Sequence, residues 1–472
     1  MNTASRTGIA SRSDETTESS EPGFLLHAES DLAQMALDTV RYGRSVGIEH
    51  VTANVFESGG TTMVVRNGTN VSAVRDGETK LTVTVYDGGR WGASSTPSFS
   101  AAAIRRAVEH ARDVANRLEP DEEARPADHA WLTRDDPRIP LFAHCALSPA
   151  ELNEAALEIE NAAREAEASR AGIVTVMQSS AASHDSQSAL AISPDFVRSV
   201  RTSMQSRGCT TLATSPSGMA QASWGSNERR TEGLLTSREL ADIAVQRAAR
   251  KLGGRSAPSM NAPILFDANV AGALVGALVQ ALYGRAQERH ATFLPNVLGK
   301  RVLGHDIDLI EDPFEPYGLR SGGYDSEGIG GSRRHVVRGG VVEGLFLSAR
   351  SARKLGMAPT GNASGWWNLS LQSRDTIPSD DLKAMLRRLH RGLWITEFLG
   401  GQSNGVTGAY SMAVAGFWVE GGELAYPVQD TTVAGDLATM LAGIRAIGAD
   451  IPRSTATRCG SILIEAMKIT GR

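Results

Sequence analysis

Cysteine is scarce in this chain, with three residues in 472, and Cys145, Cys209 and Cys459 lie far apart. That spacing matches neither a zinc knuckle nor the dense, even pattern of a secreted disulfide scaffold, so a reducing, cytoplasmic setting is expected. A basic excess is also missing: 48 Lys and Arg stand against 53 Asp and Glu, a net charge of -5. Surfaces that neutralise phosphates carry clustered positive charge, so no nucleic-acid partner is expected. Long apolar runs are absent too. The longest, from Val270 to about Tyr283, is too short to span about 30 Å of hydrocarbon, and no membrane partner is expected. Residues 1–24 are rich in Ser, Thr, Asp and Glu with no apolar core, which predicts a disordered tail. Four glycosylation-type sequons, starting at Asn67, Asn70, Asn362 and Asn368, carry little weight without a secretory signal.

Two segments announce helices by their ends. In SPAELNEAALEIENAAREAEAS, Ser148 precedes Pro149 and stands three residues before Glu151, the pattern of a capping box with proline in the first turn. Thr236 and Glu239 repeat the box in TSRELADIAVQRAARKLGG, which closes on a glycine pair. A further helix is predicted in SDLAQMALDTVRYGRSVGI, with Ser30 as N-cap and Leu32, Met35 and Val40 on one face. The runs VTANVFES, TTMVVRN and KLTVTVYDGGRWG read as separate short strands of a meander, divided by Gly and Asn turns. The helical SAAAIRRAVEHARDVANRL and the acidic link EPDEEARP follow, and GIVTVMQSS and FVRSVRTSMQS read as further strands. Gly, Pro and Ser accumulate over residues 254–263, which places a domain boundary there: an N-terminal α/β domain over 25–255 and a β-rich C-terminal domain over 256–472. Two hairpins are predicted in that second half, turning at Gly339–Gly340 and Gly421–Gly422.

The apolar run 271–290, AGALVGALVQALYGRAQERH, ends with Glu288 and His290. A zinc-peptidase helix needs two histidines on one face with a glutamate between them. Residues two apart on a helix point to different sides, so Glu288 and His290 read as a polar helix end rather than a metal site. No histidine here is followed by glutamate, and neither a Gly-x-Ser-x-Gly elbow nor a phosphate-binding loop is present. The adjacent pairs His184–Asp185 and His305–Asp306 read as turns or caps, and Cys459 as a small buried hydrophobe.

Three stretches nevertheless resemble a known family: YDSEGIGGSRRHVVRGGVVEGLFLSARSARKLGMAPTGNASG over residues 324–365, NGVTGAYSMAVAGFWVEGGELAYPV over 404–428, and RCGSILIEAMKITG near the C-terminus. They are similar to the TldD/PmbA family, once labelled modulators of DNA gyrase, on its PmbA (TldE) side. GRWGASST and ILFDANVAGALV agree, so the resemblance covers nearly everything after residue 30. It implies an α+β chain of two domains, the second built of curved antiparallel sheets. In the TldD type, the first helix of that second domain carries His-Glu-x-x-x-His, and a late cysteine completes a zinc site. Aligned on ILFDAN and Gly272, those positions hold Gly276, Ala277 and Ala281 here, and the cysteine position holds Cys459. The small residues and the stripe Leu274, Leu278, Leu282 then describe a packed helix without zinc chemistry.

The resemblance implies a chain that binds no metal, pairs with a zinc-bearing TldD-like subunit, and helps to enclose peptide substrates. Asn404, Gly405, Thr407 and Tyr410 are expected to contact the peptide through backbone approach, hydrogen bonds and an aromatic wall, although hairpin chemistry explains the glycines equally; Trp418 is a candidate lining of a chamber or interface, with core packing the favoured alternative. The pair Trp366–Trp367 is a further candidate lining. Ala409 replaces an acid usual in the family, and GNASGWWNLSL is more aromatic than usual, departures that suggest a specialised substrate in antibiotic biosynthesis. Two other readings stay open: a homodimer that hydrolyses a peptide or amide in a biosynthetic pathway, and a non-catalytic protein that binds peptides or modulates another complex.

Overall fold

The computed structural model describes residues 24–121, 123, 125–134, 137–145, 147–216 and 218–471, so the expected tail falls outside the described residues up to residue 23. The first half lays helices on one long sheet. Its elements run α1 (Glu29–Ser45), β1 (His50–Arg66), β2 (Thr69–Asp87), β3 (Arg90–Thr96), α2 (Ala101–Asn116), α3 (Pro149–Glu165), the short turn α4 (Glu167–Arg170), β4 (Val174–Ile192), β5 (Phe196–Ser215), β6 (Gly218–Glu228) and α5 (Ser237–Arg250). The strands pair antiparallel in the order β3-β2-β1-β4-β5-β6. Strict alternation in β1 and β2 sends Val51, Ala53, Val55, Leu81, Val83 and Val85 to the face covered by α1 and α2. At the other end, α3 and α5 cover β4 to β6.

Both capping boxes form, at Ser148 with Glu151 and at Thr236 with Glu239. Two local readings need correction. Ser30 does not cap α1: the cap is Ala28, whose backbone N–H is met instead by the Asp31 carboxylate at 3.2 Å. The meander is also shorter in strands than the turn signals suggested, because VTANVFES and TTMVVRN are one strand. Gly59 and Gly60 lie inside β1, paired with Gly77 and Asp76 on β2. A Cβ at Gly60 would overlap the His184 ring on the neighbouring strand, so glycine there serves close approach and not a turn. The turn falls at Asn67–Gly68, where both residues have positive φ.

β1 also anchors the start of the described chain. Glu57 is 2% exposed, and its carboxylate accepts from the backbone N–H of Leu26 at 2.9 Å and from Gln187 Nε2 at 2.8 Å. The His27 N–H and ring Nδ1 lie at 3.3 and 3.2 Å. Burial alone would raise this acid, but the donors together outweigh it and hold it below its ordinary 4.5. A depressed acid stabilises the fold above its unfolded value, and that contribution is lost as pH falls through the folded value. Denaturant titrations on the acid side of 4.5 should therefore show a steeper loss of stability in the wild type than in Glu57→Gln.

The second half holds two sheets. Its elements run β7 (Met260–Phe266), α6 (Ala268–Ala281), α7 (Gly284–Glu288), β8 (Ile307–Asp312), β9 (Arg334–Arg338), β10 (Val341–Val342), α8 (Ala349–Leu355), β11 (Asn368–Ser373), α9 (Leu382–Leu389), β12 (Gly392–Ser403), β13 (Ala409–Glu420), β14 (Glu423–Asp436), α10 (Leu437–Ala442), β15 (Ile444–Ile447), β16 (Thr457–Arg458) and β17 (Ile462–Gly471). One sheet runs β10-β9-β8-β11-β16 and the other β14-β13-β12-β7-β17-β15, with β14 also touching β17. Pairing is antiparallel except where β11 meets β16 and β12 meets β7. The α+β class and the curled antiparallel sheets are thus as the resemblance implied. Both predicted hairpins turn where expected, at Gly339–Gly340 and Gly421–Gly422, all four at positive φ. The large core lies between these sheets, and α6 is buried in it along Ala271, Leu274, Val275, Leu278 and Val279. Among the described residues, no helix is long and apolar enough to cross a membrane.

Candidate functional site: a helix without metal ligands and a hairpin beside it

The run 271–290 is two helices, not one. α6 closes at Ala281, Leu282 and Tyr283 break it, and α7 carries the polar end. Glu288 faces Arg350 at 3.5 Å, while His290 is exposed at a φ of 50°, so the two share no ligand geometry. Gly276 and Ala277 sit half-buried on α6 and Ala281 is buried, and none carries a donor atom. Cys459 is 1% exposed within the same core. Its thiol donates to the Gly460 carbonyl at 3.1 Å, and burial pushes it well above its ordinary value, which opposes the thiolate a metal requires. Among the described residues, no group of three or more His, Cys, Asp and Glu is placed to hold a metal. One buried thiol is not a zinc donor set, so the residues present at these positions do not fit that ion.

The residues expected to touch peptide divide in two. Asn404, Gly405 and Thr407 form the exposed turn between β12 and β13. The Asn404 side chain accepts from the N–H groups of Val406 and Thr407 at 2.9 and 3.0 Å, which shapes the turn, and the Gly405 carbonyl accepts from Phe293 N–H at 3.0 Å. Tyr410 and Trp418 point inward instead. Tyr410 is 6% exposed and Trp418 1%, both members of the main core, and Trp418 Nε1 donates to Glu420 at 3.0 Å. Neither aromatic face is open to a ligand in this chain, because alternation along β13 turns both into the main core, while Phe417 and Val419 pack a second cluster on the other face. Ala409 is exposed and faces Asp436 on β14.

Trp367 is likewise packed, its Nε1 donating to the Gly361 carbonyl at 2.9 Å, whereas Trp366 is half-buried under the Arg320 guanidinium. His184 and Asp185 point to opposite faces of β4, one toward Asp76 and the other toward Arg201. Asp306 is bound to Ser373, and no histidine–acid pair of catalytic geometry arises from either doublet.

Two features were not visible in the sequence. Among the described residues, β12 has no strand partner on its β7 side beyond Ile395; Arg247 donates to the Thr396 carbonyl at 3.1 Å and Lys251 pairs with Glu397, which leaves an open edge from Phe398 to Ser403 near the exposed Leu399 and Val406. The acidic link, read only as a connector, is clamped to α8. Asp121 meets Arg350 at 2.9 Å and Lys354 at 3.2 Å, and Glu123 meets Arg353 at 2.8 Å. The hydrogen bonds from Arg350 lead in lowering Asp121 to about 2. Arg350 and Arg353 were in the quoted run 324–365, but their partners lie more than two hundred residues upstream.

Comparison with known proteins places this fold. Residues 259–471 match the model of the PmbA/TldA metallopeptidase C-terminal domain, and residues 55–115 that of PmbA/TldA metallopeptidase domain 1. The chain is 32% identical to the metalloprotease PmbA of Escherichia coli O157:H7, over 91% of this chain and 93% of that protein. It is 30% identical to the PmbA homologue of Haemophilus influenzae, over 85% and 87% respectively. Its fold superposes on a protein from Bacteroides thetaiotaomicron described as a modulator of DNA gyrase, with a TM-score of 0.84 at 22% identity, over 93% of this chain and 98% of that one. TldE from Thermococcus kodakarensis gives 0.76 at 18%, over 94% and 100%. With relatives matched along almost their whole length and two family domain models matched, this chain belongs to the PmbA/TldD family of metallopeptidase-type proteins.

Proposed function

We propose that this chain is the PmbA/TldE-like subunit of a TldD/TldE-type zinc peptidase, binding no metal itself and completing a peptide-handling complex with a zinc-bearing TldD-like chain. The observation that carries the reading is α6: the helix that would bear His-Glu-x-x-x-His keeps its packing but presents Gly276, Ala277 and Ala281. The residues that would support an extended substrate are the open edge of β12 from Phe398 to Ser403 and the turn at Asn404, Gly405 and Thr407. Free backbone N–H and C=O groups on an edge strand recruit an extended peptide without regard to its side chains, which suits peptide maturation or degradation.

Native mass spectrometry with metal analysis tests this, on the chain alone and after co-expression with the TldD-like chain of the same source. The expected result is a metal-free chain that forms a one-to-one complex, with zinc and peptidase activity present only in that complex. A stable homodimer that ignores the partner and cleaves peptides or amides unaided would overturn the proposal.

A further inference from the structure

The outer face of the first sheet is not bare. Cross-strand register aligns Thr52 with Thr84 and Tyr86 with Trp91, so these side chains share the face opposite α1 and α2. The loop before β9 and the start of α8 lie over that face. Between them is a cavity of about 450 Å³ lined by these four residues and by four charged ones, Glu123, Arg125, Glu327 and Arg350.

The charges around this cavity are unequally satisfied. Arg350 already has Asp121 at 2.9 Å and Glu288 at 3.5 Å, Arg125 has Asp128 at 2.9 Å, and Glu123 has Arg353 at 2.8 Å. Glu327 accepts from the Ala349 backbone N–H at 2.6 Å, and among the described residues no Lys, Arg or His lies within ion-pair distance of it. Its other charged influences are Asp325, which repels it, and Arg353, which is held by Glu123 and Asp128. Burial accordingly pushes the Glu327 carboxyl up to about 7, and burial with the nearby Glu327 charge pushes Tyr86 up to about 12. With both lining arginines taken by other acids, a half-buried carboxylate that has no ion-pair partner of its own, two aromatic rings and threonine hydroxyls make a set of acceptors for a positive donor.

We propose that this cavity binds a primary alkylammonium group, with Glu327 as its counter-ion, Tyr86 and Trp91 as aromatic walls, and Thr52 and Thr84 as neutral acceptors. A lysine side chain on a peptide and a free alkylamine carry the same group. The site lies within this one chain and does not depend on the subunit reading.

Calorimetric titration of the full chain tests it with three probes: Nα-acetyl-lysine N-methylamide, its norleucine isostere, and n-pentylamine. The lysine probe should bind saturably and at least about tenfold more tightly than norleucine. Glu327→Gln, which keeps shape and removes charge, should erase that preference while leaving norleucine unchanged. Trp91 is 46% exposed, so Trp91→Ala should fold normally and weaken the lysine probe by about threefold or more. Tighter binding of the lysine probe than of pentylamine identifies a peptide side chain as the source, and equal binding a free amine. Equal affinity for lysine and norleucine, or a lysine preference that survives in both variants, overturns the proposal.

Discussion

Glu311→Ala should cost about 3–5 kcal/mol of stability, read as a drop in the urea midpoint at unchanged m-value. Glu311 is 0% exposed on β8 and accepts from Arg334 Nε at 2.9 Å, Asn362 Nδ2 at 2.8 Å and the Trp367 backbone N–H at 2.9 Å. Arg334 also donates to Asn362 at 3.2 Å and is only 16% exposed. Deleting the carboxylate leaves a guanidinium with no countercharge in a region that excludes water, and that desolvation dominates the loss. Replacing both partners, as in Glu311→Leu with Arg334→Met, removes the stranded charge, so the double variant should lie well above the sum of the two single losses. Additive losses would show that the pair is not coupled as its geometry indicates.

Trp418→Ala should cost a similar amount, about 3–5 kcal/mol, because it empties the largest fully buried side chain of the molecule. The same substitution separates two roles. A wall of a peptide site would lose affinity at unchanged stability, whereas a core residue loses stability first. Thermal unfolding of the variant should show a large drop in Tm. An unchanged Tm with weakened peptide binding in the assembled complex would return Trp418 to the substrate site.

That contrast shows where the sequence was readable. Helix ends written by neighbours three residues apart, Ser148 with Glu151 and Thr236 with Glu239, form as read because both partners sit in one short segment. So do the hairpins at Gly339–Gly340 and Gly421–Gly422, whose conformation is decided locally. Gly59 and Gly60 misled because their reason lies on another strand: His184 is far away in sequence and adjacent in space. Tyr410 and Trp418 could not be placed from residue type, which marks an aromatic without saying which core it joins; only pairing with β12 and β14 turns both into the main one. The family motifs located α6 and the positions Gly276, Ala277 and Ala281 on it. The cavity around Glu327 stayed hidden because Thr52, Tyr86, Glu327 and Arg350 come from four segments with no shared pattern.

The pairing of β1 with β4 sets a timetable for assembly. β1 can zip to β2 as soon as both leave the ribosome, but its other edge belongs to residues 174–192, with α2 and α3 made in between. Until that stretch emerges, the nascent hairpin presents a long row of unsatisfied backbone groups beside an apolar face, the kind of surface on which chains join the wrong neighbour. Closing so distant a contact is slow for entropic reasons. Translation speed through residues 97–173 therefore governs how long this chain is open to misassembly, and yield in a fast-translating host should improve when synthesis is slowed by low temperature.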